Sequence, residues 1–138
     1  MLNNHSMKSF LFLAIAFFGM QTIFAQESSE VSDQNIYATS GVEVKPEFPG
    51  GMQEFANFIG TNYKTPNVKG LEGRVIVTFV VEKDGSIVDI KILRDVGYGS
   101  GAEAVRVLKK SPKWIPGEQD GRKVRVQFSL PITIQTQK

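Results

Sequence analysis

The most regular stretch of the chain is KVRVQFSLPITI, Lys123 to Ile134. Val124, Val126, Phe128, Leu130 and Ile132 fall on one face, and Arg125, Gln127, Ser129 and Pro131 on the other. A two-residue period of this kind predicts a β-strand with one buried face. Proline has no N–H to give a ladder, so Pro131 predicts that this strand lies at a rim of its sheet. Two more strands are predicted upstream. RVIVTFVVE, Arg74 to Glu82, puts Val75, Val77, Phe79 and Val81 on one face; SIVDIKILR, Ser86 to Arg94, puts Val88, Ile90 and Ile92 on one face. Between them EKDG predicts a hairpin turn, with Gly85 at the position that needs φ > 0.

Helical spacing appears twice. Met52, Phe55, Phe58 and Ile59 predict a helix from Gly51 to Asn62, after a break at Pro49-Gly50-Gly51. GAEAVRVLKKS predicts a second, opened by an S-x-x-E capping box of Ser100 and Glu103, with Ala104, Val105 and Leu108 as its apolar stripe. Arg106, Lys109 and Lys110 then face water, with positive charge at the favourable end of the helix dipole. A hairpin, a crossover helix and a third strand predict an α+β, two-layer fold. Its sheet is small, antiparallel and three-stranded, in the order second, first, third, and both helices pack on one face.

The N-terminal part reads differently. Lys8 precedes the apolar run FLFLAIAFFGM, and IFAQ places Ala25 where a signal peptidase cuts. The run is roughly 15 residues, short of the ~20 needed to cross a bilayer, so residues 1–25 are expected to be a cleaved signal and the protein periplasmic. Retention as a short anchor is the alternative. QESSEVSDQNIYATSG, 26–41, is polar and aperiodic and reads as a flexible tail that reaches at most about 55 Å. The domain proper is expected over 42–138.

Composition narrows the chemistry. The 138 residues contain no cysteine and one histidine, His5, which lies upstream of the expected cut. Cysteine nucleophiles, disulfides, thiolate or histidine metal sites and Ser-His pairs are thereby excluded from the mature chain. The formal charge of +2 is too small and diffuse to argue for nucleic acid. A carboxylate-pair glycosidase would have to draw on Asp84, Asp89, Asp95 or Glu103, which read better as solvated surface charge. No catalytic residue, metal, cofactor or small-molecule substrate is expected. The single tryptophan, Trp114 in SPKWIPGEQDGRKV, stands between the second helix and the last strand. It reads as an anchor that fixes this loop to the core, with Pro116, Gly117, Asp120 and Gly121 turning the chain, rather than as a stacking platform.

Taken in order, PEFPGGMQEFANFI, GLEGRVIVTFVVEKDGSIVDIKILR and AVRVLKKSPKWIPGEQDGRKVRVQFSLPITI resemble the TonB C-terminal domain family over Pro46 to Ile134. The FPGG opening (with Gly50 and Gly51), the G-x-V-x-V-x-F strand, W-x-P-G and F-x-L-P-I carry the resemblance. It implies a periplasmic binding module of TonB-dependent transport, one that takes a TonB-box-like peptide of an outer-membrane transporter onto the edge of its sheet. Carried onto this chain, the pairing edge is Val124, Arg125, Val126, Gln127, Phe128, Ser129 and Leu130, with Arg125 and Gln127 giving side-chain selectivity. The pattern departs from a full transducer in having no long Pro-rich linker and no ionisable residue in the apolar run. A minimal anchored energy transducer, or a structural envelope protein that closes its edge by homodimerisation, are the alternatives.

Overall fold

The alternating run that ends the sequence becomes the spine of the sheet. In a computed structural model that describes residues 34–138, it forms β5 (Arg122–Gln135), the longest strand. Before it come β1 (Ile36–Ala38), a 3-10 turn (Thr39–Gly41), α1 (Met52–Asn62), β2 (Glu72–Val81), β3 (Ile87–Arg94), α2 (Ser100–Leu108) and β4 (Gly117–Gln119). The leader expected over residues 1–25 lies outside the described residues, as does the tail up to residue 33.

The three long strands lie in the order β3-β2-β5 and pair antiparallel, as the crossover argument predicts. The sheet is nevertheless five-stranded and mixed, which corrects the three-stranded expectation. β1 pairs with β5 in parallel, Ile36 opposite Arg125 through Ala38 opposite Gln127. β4 pairs antiparallel with the start of β5, Gly117 opposite Val124. Both additions are three residues long, too short to show a period. β4 had one signal, the Asp-Gly of a two-residue hairpin: Asp120 and Gly121 have φ of 52° and 73°, the primed-turn conformation. β1 had less; Ile36 and Tyr37 are the only strand-favouring pair in a polar tail.

β2 and β5 pair without a register shift from Glu72/Gln135 to Val81/Val126. β3 is different. Val80 faces Val88 and Thr78 faces Lys91, so β3 carries an extra residue around Asp89, whose φ is +52°. A second extra residue lies between Ile92 and Arg94. The first bulge undoes the predicted common face of Val88, Ile90 and Ile92: Val88 sits opposite Val80, whereas Ile92 sits opposite the core residue Val77. A one-residue insertion flips every later side chain to the other face.

One core joins the inner sheet face to both helices: Val75, Val77, Phe79, Val81, Leu130, Ile132 and Ile134 from the sheet, Phe55 from α1, Ala104 and Leu108 from α2. α2 packs over β2 and β3. Its buried stripe is Ala104, Val107 and Leu108, with Val105 only half-buried, so Val107 replaces Val105 in the predicted stripe. A smaller cluster of Val42, Val124 and Val126, covered by Tyr37, lies at the β1 end of β5.

The capping box does not form. Gly99 is the residue before α2, in a left-handed conformation with no side-chain cap. The Ser100 hydroxyl instead donates to Asp95 Oδ1 at 2.6 Å, and the same oxygen accepts from the Gly97 N–H at 2.7 Å. Glu103 accepts from Arg106 Nε at 2.9 Å and from the Lys64 backbone N–H at 3.0 Å, which ties the loop after α1 to α2. Hydrogen bonding from Arg106 brings the Glu103 carboxyl down to about 2, against its ordinary 4.5. A depressed carboxylate stabilises the fold above its unfolded value, and that contribution fades as pH falls from about 4.5 through about 2. Glu103→Gln is therefore expected to flatten the acid limb of a melting-temperature profile over that window; a limb identical to wild type would remove Glu103 from the account.

Candidate functional site

The candidate site lies along the backbone of β5 rather than around a side chain. The Gln127 carbonyl accepts a hydrogen bond from Thr39 Oγ1 at 2.7 Å, on the β1 side and away from β2. Backbone groups of successive residues alternate in direction along an antiparallel ladder. The unshifted register with β2 carries this alternation down the strand. Arg125, Gln127, Ser129, Pro131, Thr133 and Gln135 therefore aim their carbonyls, and all but Pro131 their N–H groups, at the outer edge. β1 covers this edge only at Arg125–Gln127. From Phe128 to Gln135 no strand among the described residues pairs with it. The proline expected to mark a rim sits in this uncovered stretch, where its missing N–H breaks the row of donors.

Alongside the open stretch runs a groove of about 320 Å³ between α1 and β5, lined by Met52, Phe55, Ile59, Leu130 and Ile132 among others. Met52 is 59% exposed, so part of the apolar face of α1 stays uncovered beside the edge. An added strand would set every second side chain toward this groove.

The seven predicted edge residues thus divide. The Val124, Val126 and Leu130 side chains are buried, which leaves only their main chain for contact. Val124 is paired with β4, and Arg125 to Gln127 with β1. Phe128, Ser129 and Leu130 belong to the open stretch. The expected selectivity role of Arg125 meets a competing contact. Its Nε lies 3.0 and 2.9 Å from the two Glu82 oxygens, its Nη2 2.8 Å from Oε1, and its Nη1 donates to the Gln34 carbonyl at 3.3 Å. A guanidinium held in this two-pronged way is already engaged by its own chain. Gln127 has an exposed side chain.

The loop that delivers β5 is held from several directions. The Trp114 indole is 3% exposed and meets Phe48, Phe55, Phe79 and Phe128 at ring separations of 5.7, 4.9, 5.5 and 5.3 Å. Its Nε1 donates to Ser111 Oγ at 3.0 Å, and its backbone N–H to the Gly85 carbonyl at 2.8 Å. Phe79 and Phe128, directly opposite in the ladder, stack at 5.4 Å and pass this packing into β5. Pro116 stands between two bridges that fasten the loop to the chain before α1, Glu47 with Ile115 and Val44 with Glu118. Gly117 is tight: a Cβ there would come within 2.7 Å of Val126 Cγ2 and 2.9 Å of the Val44 carbonyl. Gly50 and Gly51, at φ of 87° and 91°, turn the chain into α1.

Among the described residues no three acidic or histidine side chains converge as metal ligands, and no helix is long and apolar enough to cross a membrane. Residues 67–134 match the family described as the Gram-negative bacterial TonB protein C-terminal. Protein TonB of Helicobacter pylori strain 26695 is 31% identical over 117 aligned residues, covering 76% of this chain and 39% of that protein. Protein TonB of strain J99 is 31% identical over 116, covering 75% and 39%. The chain thus spans about two fifths of the length of the curated relatives it matches. A solution structure of the Helicobacter pylori TonB C-terminal domain aligns with 63% of this chain and 81% of that one, at 21% identity and a TM-score of 0.47.

Proposed function

This chain belongs to the TonB C-terminal domain family, and on that footing we propose that it is a periplasmic binding module in TonB-dependent transport, docking an extended TonB-box-like peptide of an outer-membrane transporter onto the edge of β5. One observation carries the reading: β5 already accepts a strand, β1, on that edge. Strand addition draws affinity from main-chain hydrogen bonds and selectivity from pockets beside the edge. The groove between α1 and β5 is such a pocket, and it suits apolar side chains.

The opposite rim of the sheet is a poorer acceptor. β3 is interrupted by its two extra residues, which bend the strand and break the even row of backbone groups. Over the same length β5 keeps a regular register. The flat edge, not the bulged one, is the docking edge.

The test uses the outward direction of Ser129. Ser129→Pro removes one outward N–H and leaves the ladder to β2 intact, so the fold is expected to persist. Affinity for a synthetic transporter TonB-box peptide, measured by calorimetry, is expected to fall by about tenfold, the worth of one main-chain hydrogen bond left unmade. Unchanged affinity would move the site off this edge. Concentration-dependent self-association of the wild type, with no peptide binding, would favour homodimerisation through the same edge.

A further inference from the structure

We propose that residues 34–39 act as a built-in competitor for the β5 edge, which a partner strand must displace to pair along its full length. The proposal rests on the strand-addition reading for what it excludes, but the self-contact stands on its own geometry. β1 takes Arg125 to Gln127, with the Thr39 hydroxyl on the Gln127 carbonyl and the Gln34 carbonyl on Arg125 Nη1. The open remainder is a weak ladder by itself. Its outward positions are Ser129, Pro131, Thr133 and, at the end of the strand, Gln135, and Pro131 gives no N–H. A longer ladder requires the outward groups of Gln127 and Arg125, which β1 holds.

The hold is slight by construction. β1 is three residues long, Ile36 is 46% exposed and Ala38 is exposed; only Tyr37 packs inward, on Val42, Val124 and Val126. Short, exposed segments open at small free-energy cost relative to global unfolding. The 3-10 turn at Thr39–Gly41 follows β1 directly, and β1 pairing with β5 ends at Gln127, so strand pairing on this edge stops where the open stretch begins. Pairing starts on the open stretch and lengthens toward Arg125 as β1 leaves. The affinity of the partner is then reduced by the fraction of molecules in which β1 is seated.

Tyr37→Pro in the full chain removes the ring from the small cluster and a backbone donor from β1; Thr39→Val, a milder change, removes only the hydroxyl. Amide hydrogen exchange at Arg125 and Gln127 is expected to accelerate by about tenfold in the first and less in the second. A synthetic peptide of residues 33–41, added in trans, is expected to bind Tyr37→Pro and not wild type. Both results together establish the self-contact, even if no transporter peptide binds either protein; that last outcome would sink the transport reading alone. If transporter peptide does bind, its affinity is expected to rise about tenfold in Tyr37→Pro. Unchanged exchange in both variants, or equal binding of the 33–41 peptide to all three proteins, would overturn the competitor role and leave docking on β5 standing.

Discussion

Trp114→Ala is expected to lower the stability of the domain by about 3–5 kcal/mol, the range for removing a large aromatic from a packed core. The indole lies within ring-contact distance of four phenylalanines contributed by the segment before α1, by α1, by β2 and by β5. Burying a side chain of this size removes ~150–250 Å² from water, worth on the order of 4–6 kcal/mol at ~25 cal/mol/Å² before opposing terms. Alanine would leave Phe48, Phe55, Phe79 and Phe128 facing a void that their backbones cannot close. Domains of this size have only about 5–15 kcal/mol to lose. The effect is read in urea by far-UV circular dichroism, since the variant lacks the only tryptophan. A lower midpoint with an unchanged slope is expected. Wild-type stability with selectively lost peptide binding would instead make the indole a contact surface.

Gly85→Ala is expected to have the second largest effect, about 2–4 kcal/mol. Two penalties coincide at this turn. At φ of +86° any residue with a Cβ is strained, by roughly 1–2 kcal/mol. The added carbon would also lie 2.0 Å from the Trp114 carbonyl oxygen, a backbone atom with nowhere to go. Relieving that clash separates the β2–β3 hairpin from the tryptophan loop and breaks the bond between the Trp114 N–H and the Gly85 carbonyl, at about 1 kcal/mol. Gly121→Ala isolates the conformational part, since Gly121 has φ of +73° and nothing within 4 Å of its would-be Cβ. Equal losses at both positions would show that the close approach to Trp114 contributes nothing.

Trp114 and Gly85 mark the limit of what local sequence pattern encodes. Periods of 2 and 3.6 locate the long elements to within two residues, except that α2 stops at Leu108 rather than Ser111, because burial of one face imposes the pattern. The β3-β2-β5 order follows from a crossover that skips one place and sets the last strand beside β2, where every neighbour is antiparallel. Gly85 was legible as a turn glycine, but not its approach to Trp114, which joins positions 29 residues apart in sequence. The misplaced features share a cause as well. Ser100 and Glu103 have the spacing of a capping box, yet Asp95 and Arg106 compete for their side chains. Val88, Ile90 and Ile92 alternate in sequence, yet one extra residue at Asp89 divides them. β1 and β4 are short strands ordered by partners distant in sequence, and local pattern has no access to them. At the candidate site, the alternation of β5 and the position of Pro131 were legible. The partial occupation of its edge by residues 36–38, and the engagement of Arg125 by Glu82, were not.

Docking on β5 is defined by where a partner strand lies. Nuclear Overhauser contacts between an isotope-labelled protein and a transporter TonB-box peptide locate it directly. Cross-strand contacts from the peptide backbone to Ser129 and Thr133, with peptide side chains on Met52 and Ile59, are the predicted result. Contacts confined to β3, or to the outer sheet face with the Ser129 and Thr133 amides unperturbed, would contradict it.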